Sequence, residues 1–448
     1  MTEPEPQHKR PDPPLPLASS EDVTTSRRGF RELMRNREFR LIWGSQVASQ
    51  LADKFLVYSL LTVTYERSGA NTQEAVVLLA YTFPSVFLSP IAGVYADRFD
   101  KRKMMFITNL ARGLLILLIP ASLLVPYFQH VTWHLLVVTL LFSGIGQFFA
   151  PAEASAMPFV VPKEGLITAT SVFTLTIVAT LVVGLPISSI LVRLLGAESP
   201  YFVAAALFGA GAVANLAMRT QMAVVETDVD RSGSRLSRIW DELTETVAFV
   251  RARPVLLGAF GQLGLAVMLI FTLFSLSQGY MATVLHLNPR DSYLILVPAA
   301  LGMGATAAYL GQGKHTGRAG LLTAGLFTLG CLLLLMGVVP YLLPRGLVIP
   351  FAMGVGALFG AAFGAVFIPA VTLLQESTDP DQRGRIFGAM FTVLNLAIAV
   401  PLFLAGLAAD TFGLNLVVVM MGLLLVGTVA ATVLVQRRHR TGPTVSRL

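Results

Sequence analysis

Apolar stretches of about 20 residues recur from residue 39 onward, separated by short polar breaks. A helix of 20 residues rises about 30 Å, which matches the hydrocarbon core of a bilayer. Apolar residues make up 54% of the 448-residue chain and charged residues only 13%, against about 25% charged in soluble domains. So few charges could not solvate so much apolar surface, and the sequence therefore predicts an all-α integral membrane protein.

The pattern predicts twelve spans in two groups of six, divided by the polar stretch 219–254. Three landmarks recur at an offset of 218 residues, which is typical of two pseudo-repeats. They are Gly93 and Gly311, Pro151 and Pro369, and Pro162 and Pro380. The predicted organisation is a disordered cytoplasmic tail (1–37), an N-terminal six-helix bundle (38–218), a cytoplasmic linker with an amphipathic helix (219–254), a C-terminal six-helix bundle (255–436) and a cytoplasmic tail (437–448).

The basic residues predict the orientation of the chain. With the N-terminus in the cytoplasm, 27 of the 33 Lys and Arg fall in inward segments and 4 in outward segments, while Lys54 and Arg112 lie within spans. This bias predicts that both termini are cytoplasmic, in a multi-pass membrane protein. It also accounts for the net charge of +7 through contact with the lipid bilayer, so no nucleic-acid partner is predicted.

A basic loop follows the second predicted span. It reads Gly-Val-Tyr-Ala-Asp-Arg-Phe-Asp-Lys-Arg-Lys from Gly93 to Lys103. This loop resembles the motif G-x-x-x-D-R-x-G-R-[RK] between spans two and three of the major facilitator superfamily, with Asp100 where the pattern usually has Gly. The resemblance implies the two-bundle fold of that family. It also implies that Gly93, Asp97, Arg98 and Arg102 form a conformational-switch loop that does not contact substrate.

Two further segments narrow the resemblance. The end of span four with the following loop (144–171) and the connection between spans ten and eleven (375–388) are similar to the drug:proton antiporters that include macrolide and tetracycline efflux pumps and the enterobactin exporter. The resemblance implies export of a small molecule in exchange for protons. Substrate identity does not follow from it.

Ionisable residues inside spans are costly, which makes them functional candidates. Gln46, Gln50 and Asp53 share one face of span one, and Lys54 lies one turn beyond Gln50. This stripe predicts that Gln46, Gln50 and Lys54 line a water-filled cavity, with Asp53 as a proton carrier. The alternative is a local Asp53–Lys54 pair that serves packing only.

Two more charges lie at similar depths in neighbouring spans. Arg112 is about two turns into span three, and Glu153 lies near the inner end of span four. Their depth predicts an Arg112–Glu153 ion pair, either structural or gating, with Glu153 as the second candidate proton carrier. Arg112 and Asn109, one turn before it, are also predicted to line the cavity.

Span ten carries Gly356, Gly360 and Gly364 at a spacing of four, a pattern that predicts close helix packing. The chain has one cysteine and no phosphate-binding loop or zinc-protease motif. No enzyme, metal or cofactor is therefore predicted, and a monomer is expected.

These observations favour a secondary active transporter that expels amphipathic small molecules in exchange for protons. Two alternatives stay open. One is an importer or proton symporter on the same fold, and the other is a non-transporting membrane scaffold or sensor, which would not need the polar stripe in span one.

Overall fold

A computed structural model describes residues 30–129, 131–220, 222, 254–312, 318–376 and 383–441. Within these ranges the chain is helical and contains no strand. We label the long helices α1 (Arg37–Ser68), α2 (Asn71–Arg98), α3 (Lys101–Ser122), α4 (Trp133–Gly146), α5 (Phe149–Val160), α6 (Leu166–Leu195), α7 (Ser199–Ala217), α8 (Pro254–Ser275), α9 (Tyr293–Leu310), α10 (Arg318–Val338), α11 (Arg345–Glu376), α12 (Arg383–Phe412) and α13 (Leu414–Thr441).

Eight segments of the described chain are long and apolar enough to cross a bilayer, and one of them, Trp133–Val160, joins α4 and α5. The end of α8 and the segment Ser277–Val284 meet at a bend of 54° and would form a ninth. The all-helical membrane architecture is therefore confirmed, while the count of twelve spans and the orientation of the termini stay predictions. The predicted amphipathic helix of the linker lies outside the described residues.

Residues 30–37 make defined contacts in the structure. Leu33, placed in the disordered tail 1–37, is buried beside Val161. Asn36 caps α1 by accepting hydrogen bonds from the backbone N–H groups of Glu38 (3.0 Å) and Phe39 (3.3 Å), and its Nδ2 donates to the Val160 carbonyl (2.7 Å). Residues 30–37 are fixed because an apolar side chain and an N-cap, both readable in the sequence, find partners on α5 and the turn after it.

Each half of the chain has its own apolar core. In the N-terminal half the largest fully buried side chains include Tyr58, Phe142 and Phe208, which lie on α1, α4 and α7. In the C-terminal half, Leu333 of α10 and Val366 of α11 are fully buried in a separate cluster. Contacts outside these two cores therefore join the two halves.

The glycine stripe of α11 lies against α9. A Cβ atom added at Gly356 would lie 2.8 Å from the Ile295 carbonyl oxygen, and one added at Gly360 would overlap the carbonyl oxygen of Ala299. Small residues thus allow the backbones of the two helices to approach.

Gly360→Ala is expected to destabilise the protein by about 1–3 kcal/mol, since the added methyl must push two backbones apart. The matched control is Gly354→Ala on the same helix, where a Cβ meets nothing within 4 Å; there alanine's higher helix propensity predicts no loss. Thermal melting of both variants in detergent checks the difference, and equal melting temperatures would contradict the packing interpretation.

Candidate functional site

Helix α1 changes character at its middle. Residues 55–65 are all buried, whereas Gln50, Asp53 and Lys54 are partly exposed. Gln46, predicted to line a cavity, is buried, and its Nε2 donates to the Phe173 carbonyl at 3.4 Å. In the middle of α1, partly exposed polar groups therefore lie at residues 50–54, immediately before the buried segment 55–65.

Asp53 forms an ion pair with Arg112 of α3. Nη1 of the arginine lies 3.2 Å from Oδ1 and 3.4 Å from Oδ2 of the carboxylate, and the side chains are 5% (arginine) and 13% (aspartate) exposed. The predicted Arg112–Glu153 pair is thus wrong for this conformation, because α3 presents the guanidinium to α1. Charges at equal depth meet only if the faces of their helices also meet.

Aromatic rings enclose the Arg112 guanidinium. Its central carbon lies 4.3 Å from the ring centre of Phe208, 5.3 Å from that of Phe142 and 5.5 Å from that of Phe149. Electron-rich ring faces stabilise a cation in a place where water cannot. Nε of Arg112 is nevertheless buried without a hydrogen-bond partner among the described residues, so the cation depends strongly on Asp53.

Asn109 links Arg112 to a second pair of polar residues on α1. Its Oδ1 accepts from Arg112 Nη2 (3.1 Å) and from the Ser49 hydroxyl (3.0 Å), and its Nδ2 donates to Ser45 Oγ (3.1 Å). Gly211 of α7 leaves the space for this amide, since a Cβ there would lie 2.9 Å from Nδ2. Asn109 and Arg112 are both buried in the N-terminal half, and the network fixes the guanidinium in position.

Glu153 of α5 lies one turn after Phe149, close enough for Arg112 to act on its charge. The residue is buried, and its Oε1 has no hydrogen-bond partner in the described part of the chain. Arg112 therefore acts on two carboxyl groups and is hydrogen-bonded to only one of them, Asp53.

Lys54 points away from Asp53. Its Nζ lies 3.5 Å from Gln50 Oε1, and a Cβ added at Gly184 of α6 would lie 2.9 Å from the lysine Cβ. The local Asp53–Lys54 pair is absent from the ion pairs of the described residues, which agrees with the 100° separation of adjacent helical positions.

Polar contacts join the two halves where α1 ends and α2 begins, which we call the sealed end. Asp410 of α12 accepts hydrogen bonds from the backbone N–H groups of Asn71 (2.9 Å) and Thr72 (2.7 Å) and from their side chains (2.8 and 2.6 Å). Glu66 forms a two-pronged ion pair with Arg290 (2.5 and 2.9 Å).

Sequence reasoning did not find these contacts. Neither Asp410 nor Glu74, a fully buried acid on α2, is among the site residues predicted from the sequence. The Asn71-Thr72 pair is an N-terminal helix signal, and it was the one available hint that the start of α2 needs a partner.

The motif loop lies at the opposite end of the bundle. Asp100 caps α3 by accepting from the Lys103 N–H (3.1 Å), and Arg102 donates to the Leu216 carbonyl (2.6 Å). Gly93 lies within α2 and Arg98 is exposed, whereas the side chain of Asp97 lies outside the described ones. Asp100, where the motif usually has glycine, thus has a structural use as an N-cap.

A sequence model of the Major Facilitator Superfamily matches residues 42–401. The chain belongs to this superfamily. The family predicted from the loop motif is therefore confirmed, and with it a membrane transporter rather than an enzyme.

Individual relatives have low sequence identity to this chain but match most of its length. The uncharacterised MFS-type transporter YfiS of Bacillus subtilis is 24% identical over 403 residues, covering 88% of this chain and 93% of that protein. Macrolide efflux protein A of Streptococcus pyogenes is 23% identical over 403 residues (84% and 91%). The multidrug efflux pump Tap of Mycolicibacterium fortuitum is 25% identical over 378 residues (82% and 88%).

Solved structures share the fold. A bacterial homologue of the human lysosomal transporter Spinster, in an inward-facing, unoccupied conformation, superposes with a TM-score of 0.66 at 11% identity, covering 88% of this chain and 96% of that one. The nucleoside transporter NupG gives a TM-score of 0.65 at 14% identity (88% and 99%).

Proposed function

We propose that this transporter exports amphipathic small molecules in exchange for protons by alternating access. The observation that carries the proposal is the Asp53–Arg112 ion pair, a protonatable contact placed midway along α1, where the helix passes from buried to partly exposed residues. Two of the similar proteins are named as efflux proteins, for a macrolide and for several drugs. Export is therefore the direction that we favour.

Coupling follows from the competition for Arg112. With Asp53 ionised, the guanidinium is bound to its two oxygens. Protonation of Asp53 removes the charge that holds Arg112, and the buried carboxyl group of Glu153 then becomes its alternative partner. Protonation of Asp53 thus changes both the shape and the charge of the region around residues 50–54 of α1. Proton and substrate can therefore favour different conformational states of the transporter.

The orientation proposed from the basic residues places the sealed end on the outside and the motif loop in the cytoplasm, in a bacterial inner membrane. In this scheme substrate reaches the surface between the halves from the cytoplasm, where an exporter collects it. In the same scheme Gly93, Asp97, Arg98 and Arg102 form the cytoplasmic switch loop.

The test is export of a macrolide from preloaded cells that express the transporter. Imposing an inward proton gradient is expected to speed the loss of macrolide several-fold over cells with an empty vector. A protonophore should return the rate to the control level. Gradient-driven accumulation would favour the symporter, and no transport in either direction, across a panel of charged and neutral amphipathic dyes, would refute the proposed function.

A further inference from the structure

Glu74 is the most unusual acid in the described structure. It lies in the first turn of α2, is fully buried, and neither carboxylate oxygen has a hydrogen-bond partner among the described residues. The coupling proposed for Asp53 makes no use of it. Burying an unpaired carboxylate costs several kcal/mol or more, as an order of magnitude, so its presence requires an explanation.

The face of α2 that carries Glu74 is pressed against the C-terminal half. Asn71, Glu74, Ala75 and Leu78 follow the spacing of one helical face. Asn71 binds Asp410, while Ala75 and Leu78 pack with Leu402 of α12. The burial of Glu74 therefore depends on contact between the halves.

Two glycines allow this contact to be close. A Cβ added at Gly406 of α12 would lie 2.9 Å from the Ala75 Cβ and 3.0 Å from the Asn71 carbonyl oxygen. A Cβ added at Gly279, just after the bend that follows α8, would overlap Asn71 Oδ1. Backbone from two elements of the C-terminal half thus covers the start of α2 and leaves little room for water.

The charged groups around Glu74 do not neutralise it. From α12 the facing group is Asp410, a like charge, and from α1 it is Tyr65. Helix α8 has no ionisable side chain, the Tyr280 hydroxyl after it donates to the Met336 carbonyl, and His134 of α4 contacts Ser122. Of the cations at this end, Arg67 contacts the Phe128 carbonyl, Arg290 pairs with Glu66, and Arg193 pairs with Asp291.

A buried acid beside a second carboxylate is accommodated only in its neutral form. When the halves separate at this end, water reaches the face of α2 that carries Glu74. A solvated glutamic acid ionises above about pH 4.3. Closing the sealed end therefore takes up one proton, and opening it releases one. The proton enters and leaves from the same side of the membrane and is not translocated.

We propose that Glu74 is a second proton-binding site, which holds the sealed end closed when it carries a proton from the solution on that side. The proposal rests on the alternating access and the orientation of the proposed function, but not on its substrate or on Asp53. It makes Glu74 a sensor of external acidity: a low external pH favours the closed end, and a rising pH releases it.

The test measures the distance across the sealed end with two spin labels. Tyr127 and Leu342 are exposed and lie in the connections between long helices of opposite halves at this end. Both can be replaced by cysteine after Cys331→Ser removes the chain's one native cysteine. In detergent, without substrate, the ratio of long to short distances is expected to rise with pH, by up to about tenfold per pH unit for one exchanged proton.

Glu74→Gln, which is neutral at every pH, should keep the short distance and lose this dependence. Asp53→Asn should retain it, which separates this site from the coupling proposed above. Glu66→Gln breaks an inter-half ion pair and should shift the ratio at all pH values without changing the slope. A wild-type ratio that does not change with pH, or a slope that survives Glu74→Gln, would overturn the proposal; the wild-type measurement decides even if the variant fails to fold.

Discussion

Asp53→Asn is expected to abolish uphill export while substrate binding stays within a few-fold of the wild type. Asparagine has nearly the same shape as aspartate but can neither carry the charge that binds Arg112 nor exchange a proton. The two states that differ in the Asp53–Arg112 contact then no longer differ in protonation. The proton gradient can therefore no longer shift the equilibrium between them. A loss of gradient-driven macrolide export of at least about tenfold, or 1.4 kcal/mol of coupling, is expected.

Two comparisons make this result specific. Glu164→Gln changes an exposed acid at the opposite end from the sealed contacts and should leave export unchanged. Exchange of labelled for unlabelled macrolide, which needs no gradient, should persist in Asp53→Asn. If the variant still concentrates macrolide against a gradient, Asp53 is not the coupling residue, and Glu153→Gln becomes the decisive measurement.

The residues of the candidate site could be predicted better than their partners. Asp53, Arg112 and Glu153 stand out in the sequence because charges are expensive in a bilayer. Their pairing is a different matter, because position along a helix gives depth but not the rotation of the helix about its axis. Arg112 contacts Asp53 rather than Glu153 because α3 turns that face towards α1.

The contacts of the sealed end were harder to foresee. Asp410 and Asn71 are 339 positions apart, and nothing local to either residue marks the other as its partner. Nor does the sequence around Glu74 mark it as a buried residue. Only the packing of α12 over α2 makes it a buried, unpaired carboxyl group. Properties that arise between distant helices therefore need the fold itself.

The ion pair also makes a prediction about stability that is independent of transport. Asp53→Ala leaves the Arg112 guanidinium, which is 5% exposed, without its carboxylate and should cost about 3–5 kcal/mol, as expected when one partner of a buried pair is removed.

Arg112→Ala should leave a smaller electrostatic penalty than Asp53→Ala, because the unpaired Asp53 is 13% exposed and water can reach it. It should lose the three ring contacts as well.

The double variant Asp53→Ala, Arg112→Ala strands no charge, so its loss is expected to fall short of the sum of the single losses by about 1–3 kcal/mol. Thermal melting in detergent measures all four proteins, with a parallel cycle for Glu153→Ala and Arg112→Ala. Since Glu153 is not hydrogen-bonded to Arg112 in this conformation, its coupling should be the smaller. Additive losses for Asp53 and Arg112, or a larger coupling to Glu153, would mean that the resting partner of Arg112 is not Asp53.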